Sequence, residues 1–182
     1  LVPLCKERNI AVVEDAAESL GTRYSMGNYA GQHTGTVGEI GCLSFNGNKI
    51  VTSGGGGMIL TNSLDIAERA RYLTTQAKDD SKEFRHDEAG YNLRLTNVQA
   101  ALGLGQLENL SIFLEEKKTN FQKYTQLFKE IQNVEIGKIP DYSNSNHWIT
   151  WISLQKAFPK TIASLIESFS RQSIEVRPVW KP

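Results

Sequence analysis

A carboxylate, a hydroxyl and a primary amine stand at the ends of short apolar runs in this sequence. Ile10-Ala11-Val12-Val13 leads into Glu14-Asp15, and the run from Ile40 to Phe45 carries Ser44 near its end. Lys49 follows shortly after, and Gly54 to Gly57 come next. An acid at the carboxyl end of a buried parallel strand lies where open α/β sheets bind ligands. A lysine amine can bond covalently to an aldehyde. Glycines beyond it let backbone approach a bulky ligand without Cβ clashes. Taken singly, Asp15 could cap a helix, Ser44 could be a satisfied strand hydroxyl, and Lys49 could be a solvated surface lysine.

Other chemistries are excluded by spacing. The glycine run fits neither the P-loop nor the Gly-x-Gly-x-x-Gly dinucleotide fingerprint. His33, His86 and His147 are far apart, and no metal-ligand spacing is present, so no metal is expected. There is no Gly-x-Ser-x-Gly elbow. Cys5 and Cys42 read as small, buried, reduced residues. Twenty basic and twenty acidic side chains cancel, which argues against nucleic acid or an anionic membrane as a partner. No run approaches the length of a membrane span, and no signal peptide is visible. A cytoplasmic location is expected.

What remains meets the needs of pyridoxal 5′-phosphate (PLP). Its pyridine nitrogen must stay protonated, which a buried carboxylate does, and Asp15 is the candidate. Its phosphate needs donors, which Ser44 and nearby backbone N–H groups can supply. Its aldehyde needs an amine, and Lys49 is the candidate.

The elements that must position these residues are legible in outline. Leu1 to Arg8 reads as the end of a helix. Ile10 to Val13 reads as a strand buried on both faces, and Ile40 to Phe45 and Met58 to Thr61 as two more. Residues 20–40 read as a long loop, and Asn46-Gly47-Asn48-Lys49 as a turn. Asn62 or Ser63 caps a helix running to about Ala77, followed by a charged loop over residues 79–91. Thr96-x-x-Gln99 is a capping box that opens another helix. A long amphipathic helix starts at Leu110, its apolar side including Phe113, Phe121 and Phe128. Residues 134–146 are turn-rich. His147 to Leu154 reads as a strand, Ile162 to Phe169 as a helix, and Ile174 to Val176 as a last strand. There is no internal repeat. The expected fold is α/β, with a mostly parallel sheet and helices over residues 1–133. A small α+β domain is expected to begin at residue 134.

Several ordered blocks resemble one family. Glu14-Asp15-Ala16-Ala17-Glu18-Ser19-Leu20-Gly21, Ser44-Phe45-Asn46-Gly47-Asn48-Lys49 and Thr52-Ser53-Gly54-Gly55-Gly56-Gly57 resemble the DegT/DnrJ/EryC1/StrS aminotransferases. So do the block from Gly90 to Gly103 and the segment Ile174 to Pro182. The resemblance implies a fold-type I PLP enzyme that moves an amino group, from glutamate, onto a nucleotide-linked keto-sugar. A UDP-linked 4-keto-6-deoxy hexose is the implied acceptor, destined for bacterial surface glycans. Asp15 would pair with the pyridinium nitrogen, Ser44 would hold the phosphate, and Lys49 would carry the cofactor as a Schiff base. Asn92 would reach the phosphate of a neighbouring subunit, because such sites form between the members of a homodimer. His147 and Arg177 fall in segments expected near the sugar nucleotide, although His147 suits a structural strand equally.

Two departures matter. Glu18 stands where many relatives have Gln or His facing the cofactor ring, and a carboxylate there needs a hydrogen bond or a proton. The family's chains are about twice as long, with an earlier phosphate-binding segment and a further C-terminal part. The sequence therefore reads as part of a longer chain, with doubtful activity alone. Lysine at position 49 favours transamination over the dehydration run by relatives with His there. A catalytically inactive relative of the same fold is the alternative, and a generic phosphate-binding domain is a third.

Overall fold

The computed structural model describes residues 1–80 and 82–180. From the N-terminus run helix α1 (Val2–Glu7), then strands β1 (Val13–Asp15), β2 (Arg23–Tyr24), β3 (Ile40–Ser44) and β4 (Gly57–Leu60). Helices α2 (Leu64–Thr74), α3 (Asn97–Glu108) and α4 (Leu110–Lys129) follow. Strands β5 (Val134–Ile136), β6 (Ser143–Asn144) and β7 (Ile152–Leu154) precede helix α5 (Ile162–Ser170). The chain is mixed α/β, as expected. It divides into two compact units, Leu1–Lys117 with Ile139–Trp148, and Lys118–Lys138 with Ile149–Pro182.

The first unit holds a three-stranded sheet in the order β1-β3-β4. β1 and β3 are parallel, with Val13 opposite Ile40 and Asp15 opposite Cys42. β3 and β4 are antiparallel, with Ser44 opposite Gly57. The strand expected over Ile10–Val13 starts at Val13 and takes in Glu14 and Asp15. Nor is it buried on both faces, because β1 is an edge strand and Val13 is 60% exposed. The sheet packs closely enough to need glycine. A Cβ on Gly41, in β3, would run into the backbone of Gly35.

Local signals start the helices where the sequence indicates. The Ser63 Oγ accepts from the Ile66 N–H and caps α2, whose first turn holds Asp65. Thr96 and Gln99 form a reciprocal capping box on α3. Such caps satisfy N–H groups that have no partner inside the helix, and each contributes about 1 kcal/mol. α4 begins at Leu110, as its apolar stripe predicts.

In the second unit β5 pairs antiparallel with β7, Val134 opposite Leu154. Thr161 caps α5 through the Ser164 N–H. The sequence overestimates strand here. His147 to Trp151 is not strand, and His147 takes a left-handed φ of 50°. Ile174–Val176 forms no strand either; its carbonyls and amides enter no ladder among the described residues. No described helix is long and apolar enough to cross a membrane.

The charged loop after α2 is ordered by its own carboxylates. Asp79 lies below the usual carboxylate range, mainly because the Asp87 N–H donates to it. Asp80 is lowered by the Glu83 and Lys82 N–H groups, and Glu88 by the Arg69 guanidinium. A lowered carboxylate contributes its full stability above its unfolded pKa and loses it as pH falls through the folded value. Hydrogen exchange at Lys82, Glu83 and Asp87, corrected for intrinsic rate, is expected to lose protection below about pH 4, while the centre of α2 keeps its own. In the sheet, Gly41→Ala is expected to lower unfolding free energy by about 3 kcal/mol, read by urea denaturation, since backbone cannot swing aside as a side-chain tip can.

Candidate active site

Register brings two of the chemical groups to one edge. Asp15 closes β1 and Ser44 closes the neighbouring parallel strand two residues further along. Parallel strands end on the same side, so Ser44 reaches about 7 Å beyond the level of Asp15 at about 3.3 Å per residue. The turn follows directly. The Asn46 carbonyl accepts from the Lys49 N–H at 3.0 Å. The loop then returns to the strand: the Phe45 carbonyl accepts from the Ser53 N–H and the Thr52 hydroxyl, both at 3.1 Å. Phe45, Ser53 and Val51 are buried, Val51 at 1% exposure. Lys49 therefore leaves a loop anchored on both sides.

The Lys49 amine meets a carboxylate and an aromatic ring. Its Nζ lies 3.0 Å from Glu18 Oε1 and 4.4 Å from the centroid of the Trp148 ring. The lysine side chain is 12% exposed and that of Glu18 is 52% exposed. The Trp148 indole N–H donates to the Asn48 carbonyl at 2.7 Å. One ring thus grips the turn by its edge and meets the lysine with its face.

The segment that supplies Trp148 is tied down by Asn146, which is buried. The Asn146 side-chain amide donates to the Glu18 and Leu20 carbonyls, both at 2.9 Å. Its Oδ1 accepts from the Trp148 N–H at 3.0 Å, and its own N–H donates to Thr22 Oγ1 at 3.1 Å. β2 and β6 pair beside it. Sequence reasoning places Asn146 in a turn-rich stretch and gives Trp148 no role. Their sequence separation from Glu18 and Lys49 leaves no local pattern to find.

Glu14 is another residue to which the sequence assigns no role of its own. Its Oε1 accepts from the Gly35 N–H at 3.0 Å, and its Oε2 accepts from Val37 and Gly38 at 2.7 and 2.8 Å. Three backbone donors converge on one carboxylate, which fastens the end of the long loop to β1. In that loop burial pushes the Tyr24 phenol up, and the Glu14 charge adds to the rise.

The residues expected to carry function are distributed as follows. Asp15 is exposed, and its Oδ1 accepts from the Ala17 N–H at 3.1 Å. The buried carboxylate expected from the sequence is therefore an open one here, since β1 ends at the margin of the sheet. The Ser44 Oγ accepts from the Asn46 N–H at 3.3 Å. Glu18 and Lys49 meet. Asn92 is exposed and forms a backbone bridge with Thr75, outside the Glu18–Lys49–Trp148 contacts. His147 adjoins Trp148 in a turn, where its N–H donates to the Ser145 hydroxyl. Arg177 belongs to the second unit and pairs with Glu175. The last two residues of its segment, Lys181 and Pro182, lie outside the described residues.

The model of the DegT/DnrJ/EryC1/StrS aminotransferase family matches residues 1–182. The chain belongs to this family. It is 38% identical over its whole length to EpsN of Bacillus subtilis (strain 168), provisionally named a pyridoxal phosphate-dependent aminotransferase, and spans 45% of that protein. It is 34% identical, again over its whole length, to the GDP-perosamine synthase of Escherichia coli O157:H7, of which it spans 48%. Among solved structures, Helicobacter pylori PseC, an aminotransferase involved in pseudoaminic acid biosynthesis, superposes with a TM-score of 0.86 at 23% identity. That match covers all of this chain and 48% of PseC. The chain thus spans about half the length of the curated relatives it matches.

The cofactor of DegT/DnrJ/EryC1/StrS aminotransferases is pyridoxal 5′-phosphate. The donor set in this family member fits such a group: a carboxylate and a hydroxyl at one sheet edge, then an amine in the next turn. In the ligand-free site the Lys49 ammonium holds the Glu18 carboxylate at 3.0 Å. Partly exposed pairs contribute about 0–1 kcal/mol to stability. Glu18→Gln is accordingly expected to change unfolding free energy by less than about 1 kcal/mol in urea.

Proposed function

We propose that the protein carrying this chain is an aminotransferase that moves an amino group onto a keto-sugar carried by a nucleotide. One observation carries the reading. Lys49 leaves an anchored turn just beyond Ser44, at the sheet edge that also ends in Asp15, with its amine on Glu18. When bound, PLP supplies an electron sink for the carbon that bears the amino group. Asp15 would keep the ring nitrogen protonated. Ser44, with the backbone N–H groups after it, would hold the phosphate. Lys49 would bond the aldehyde and later carry a proton between substrate and cofactor carbons. Glu18 would keep the lysine amine in place whenever it is free. Asn92 would serve the phosphate of a second subunit in a homodimer, and His147 and Arg177 would face the sugar nucleotide.

The substrate class rests on the family and on the names of its members. The acceptor in this reading is a 4-keto-6-deoxy hexose on UDP, the donor is glutamate, and the enzyme works in the cytoplasm. The E. coli relative's name carries GDP, which makes GDP the second carrier to test.

Borohydride reduction of the full-length protein with PLP, followed by peptide mass spectrometry, tests the reading. The adduct is expected on Lys49 and is expected to vanish in Lys49→Ala. A folded protein without an adduct at Lys49 would overturn it and favour a non-catalytic relative of the same fold.

A further inference from the structure

We propose that Trp148 is a positioning residue for Lys49, one that fixes the lysine turn by its indole N–H and holds the amine by its ring face. The inference rests on the reading of Lys49 as the cofactor-bonding residue.

Two contacts from one side chain support it. The indole N–H donates to the Asn48 carbonyl at 2.7 Å, one residue before the lysine. The lysine Nζ lies 4.4 Å from the ring centroid, within the range where a cation is attracted to an aromatic face. Glu18 holds the same amine from another atom at 3.0 Å. A lysine side chain has four rotatable bonds and samples many rotamers when unrestrained. Held between a carboxylate and a ring, the ammonium samples few, and once it has passed a proton to Glu18 the neutral amine is already in place to attack, which is faster than having to find its place. Trp148 is itself anchored. Its N–H donates to Asn146 Oδ1, and its carbonyl accepts from Lys117 Nζ at 3.5 Å. The ring is thus a rigid support for the amine.

The other acidic and aromatic clusters carry less. The Asp79, Asp80 and Glu88 carboxylates are occupied by backbone N–H groups and Arg69. The apolar residues exposed along α3 have no neighbour that identifies what would cover them.

Two measurements on the full-length protein test the proposal. The first is lysine-selective NMR of the cofactor-free protein, with the Lys49 signal assigned by Lys49→Arg. The ε-CH2 protons of Lys49 are expected upfield of the other lysines, because they lie over the indole. The shift is expected to shrink in Trp148→Phe and to vanish in Trp148→Leu. The second is the rate at which PLP forms its covalent bond with Lys49, followed by absorbance and located by borohydride reduction and mass spectrometry. Trp148→Leu is expected to load at least about fivefold more slowly, with Trp148→Phe in between, since the phenyl face still attracts a cation. A purely structural tryptophan would alter the melting temperature without a ring-current shift at Lys49. An unshifted Lys49 signal in the unsubstituted protein overturns the proposal without any variant having to fold. So does a folded Trp148→Leu that loads as fast as the parent. Absence of any Lys49 adduct in the unsubstituted protein instead overturns the Schiff-base reading, which keeps the two failures distinct.

Discussion

The buried amide of Asn146 holds the first unit together around its candidate site. Its side chain donates to the carbonyls of Glu18 and Leu20, and its backbone N–H donates to the Thr22 hydroxyl oxygen. Its remaining oxygen receives the Trp148 N–H. A carbonyl left without a donor on burial costs about 1–3 kcal/mol, and Asn146 supplies donors to two of them in the loop after β1. The pairing of β2 with β6 and the Ser25 N–H bond to the Tyr142 carbonyl extend the same seam. Glu18 and Trp148, which both contact the Lys49 amine, sit on this seam. The position of the lysine amine is therefore a consequence of it.

Charge is used sparingly and locally in this unit. Glu14 and Asp15 are adjacent in β1, yet they point to different tasks because side chains alternate along a strand. Glu14 is spent on three backbone N–H groups of the loop at Gly35, Val37 and Gly38. Asp15 remains exposed at the strand end with one local bond. The first ties the loop to the strand, and the second leaves an exposed carboxylate at the strand end. Glycine makes the arrangement possible, since the Gly35 backbone sits where a Cβ of residue 41 would be.

Much of this was legible from local chemistry. Ser63, Thr96 with Gln99, and the Asn46–Lys49 turn lie where hydrogen-bonding side chains and turn residues put them. Such signals act over three or four residues and compete with nothing distant. Short apolar runs were less informative. His147 to Trp151 has strand-like composition, but the Asn146 and Ser145 side chains bond the following backbone and turn it away from a ladder. Ile174 to Val176 has the same composition and no pairing partner among the described residues. A strand exists only when another strand meets it.

The sequence by itself determined the family, the α/β class and the helix starts, and it singled out Asp15, Ser44 and Lys49 as candidates, because each rests on residue type and short spacing. Only the tertiary structure decided that Glu18 and Trp148 meet the lysine, that Glu14 fastens the loop, and that Asn146 closes the seam. Those contacts join residues up to about a hundred and thirty positions apart in the chain, and no periodicity or local hydrogen bond announces them.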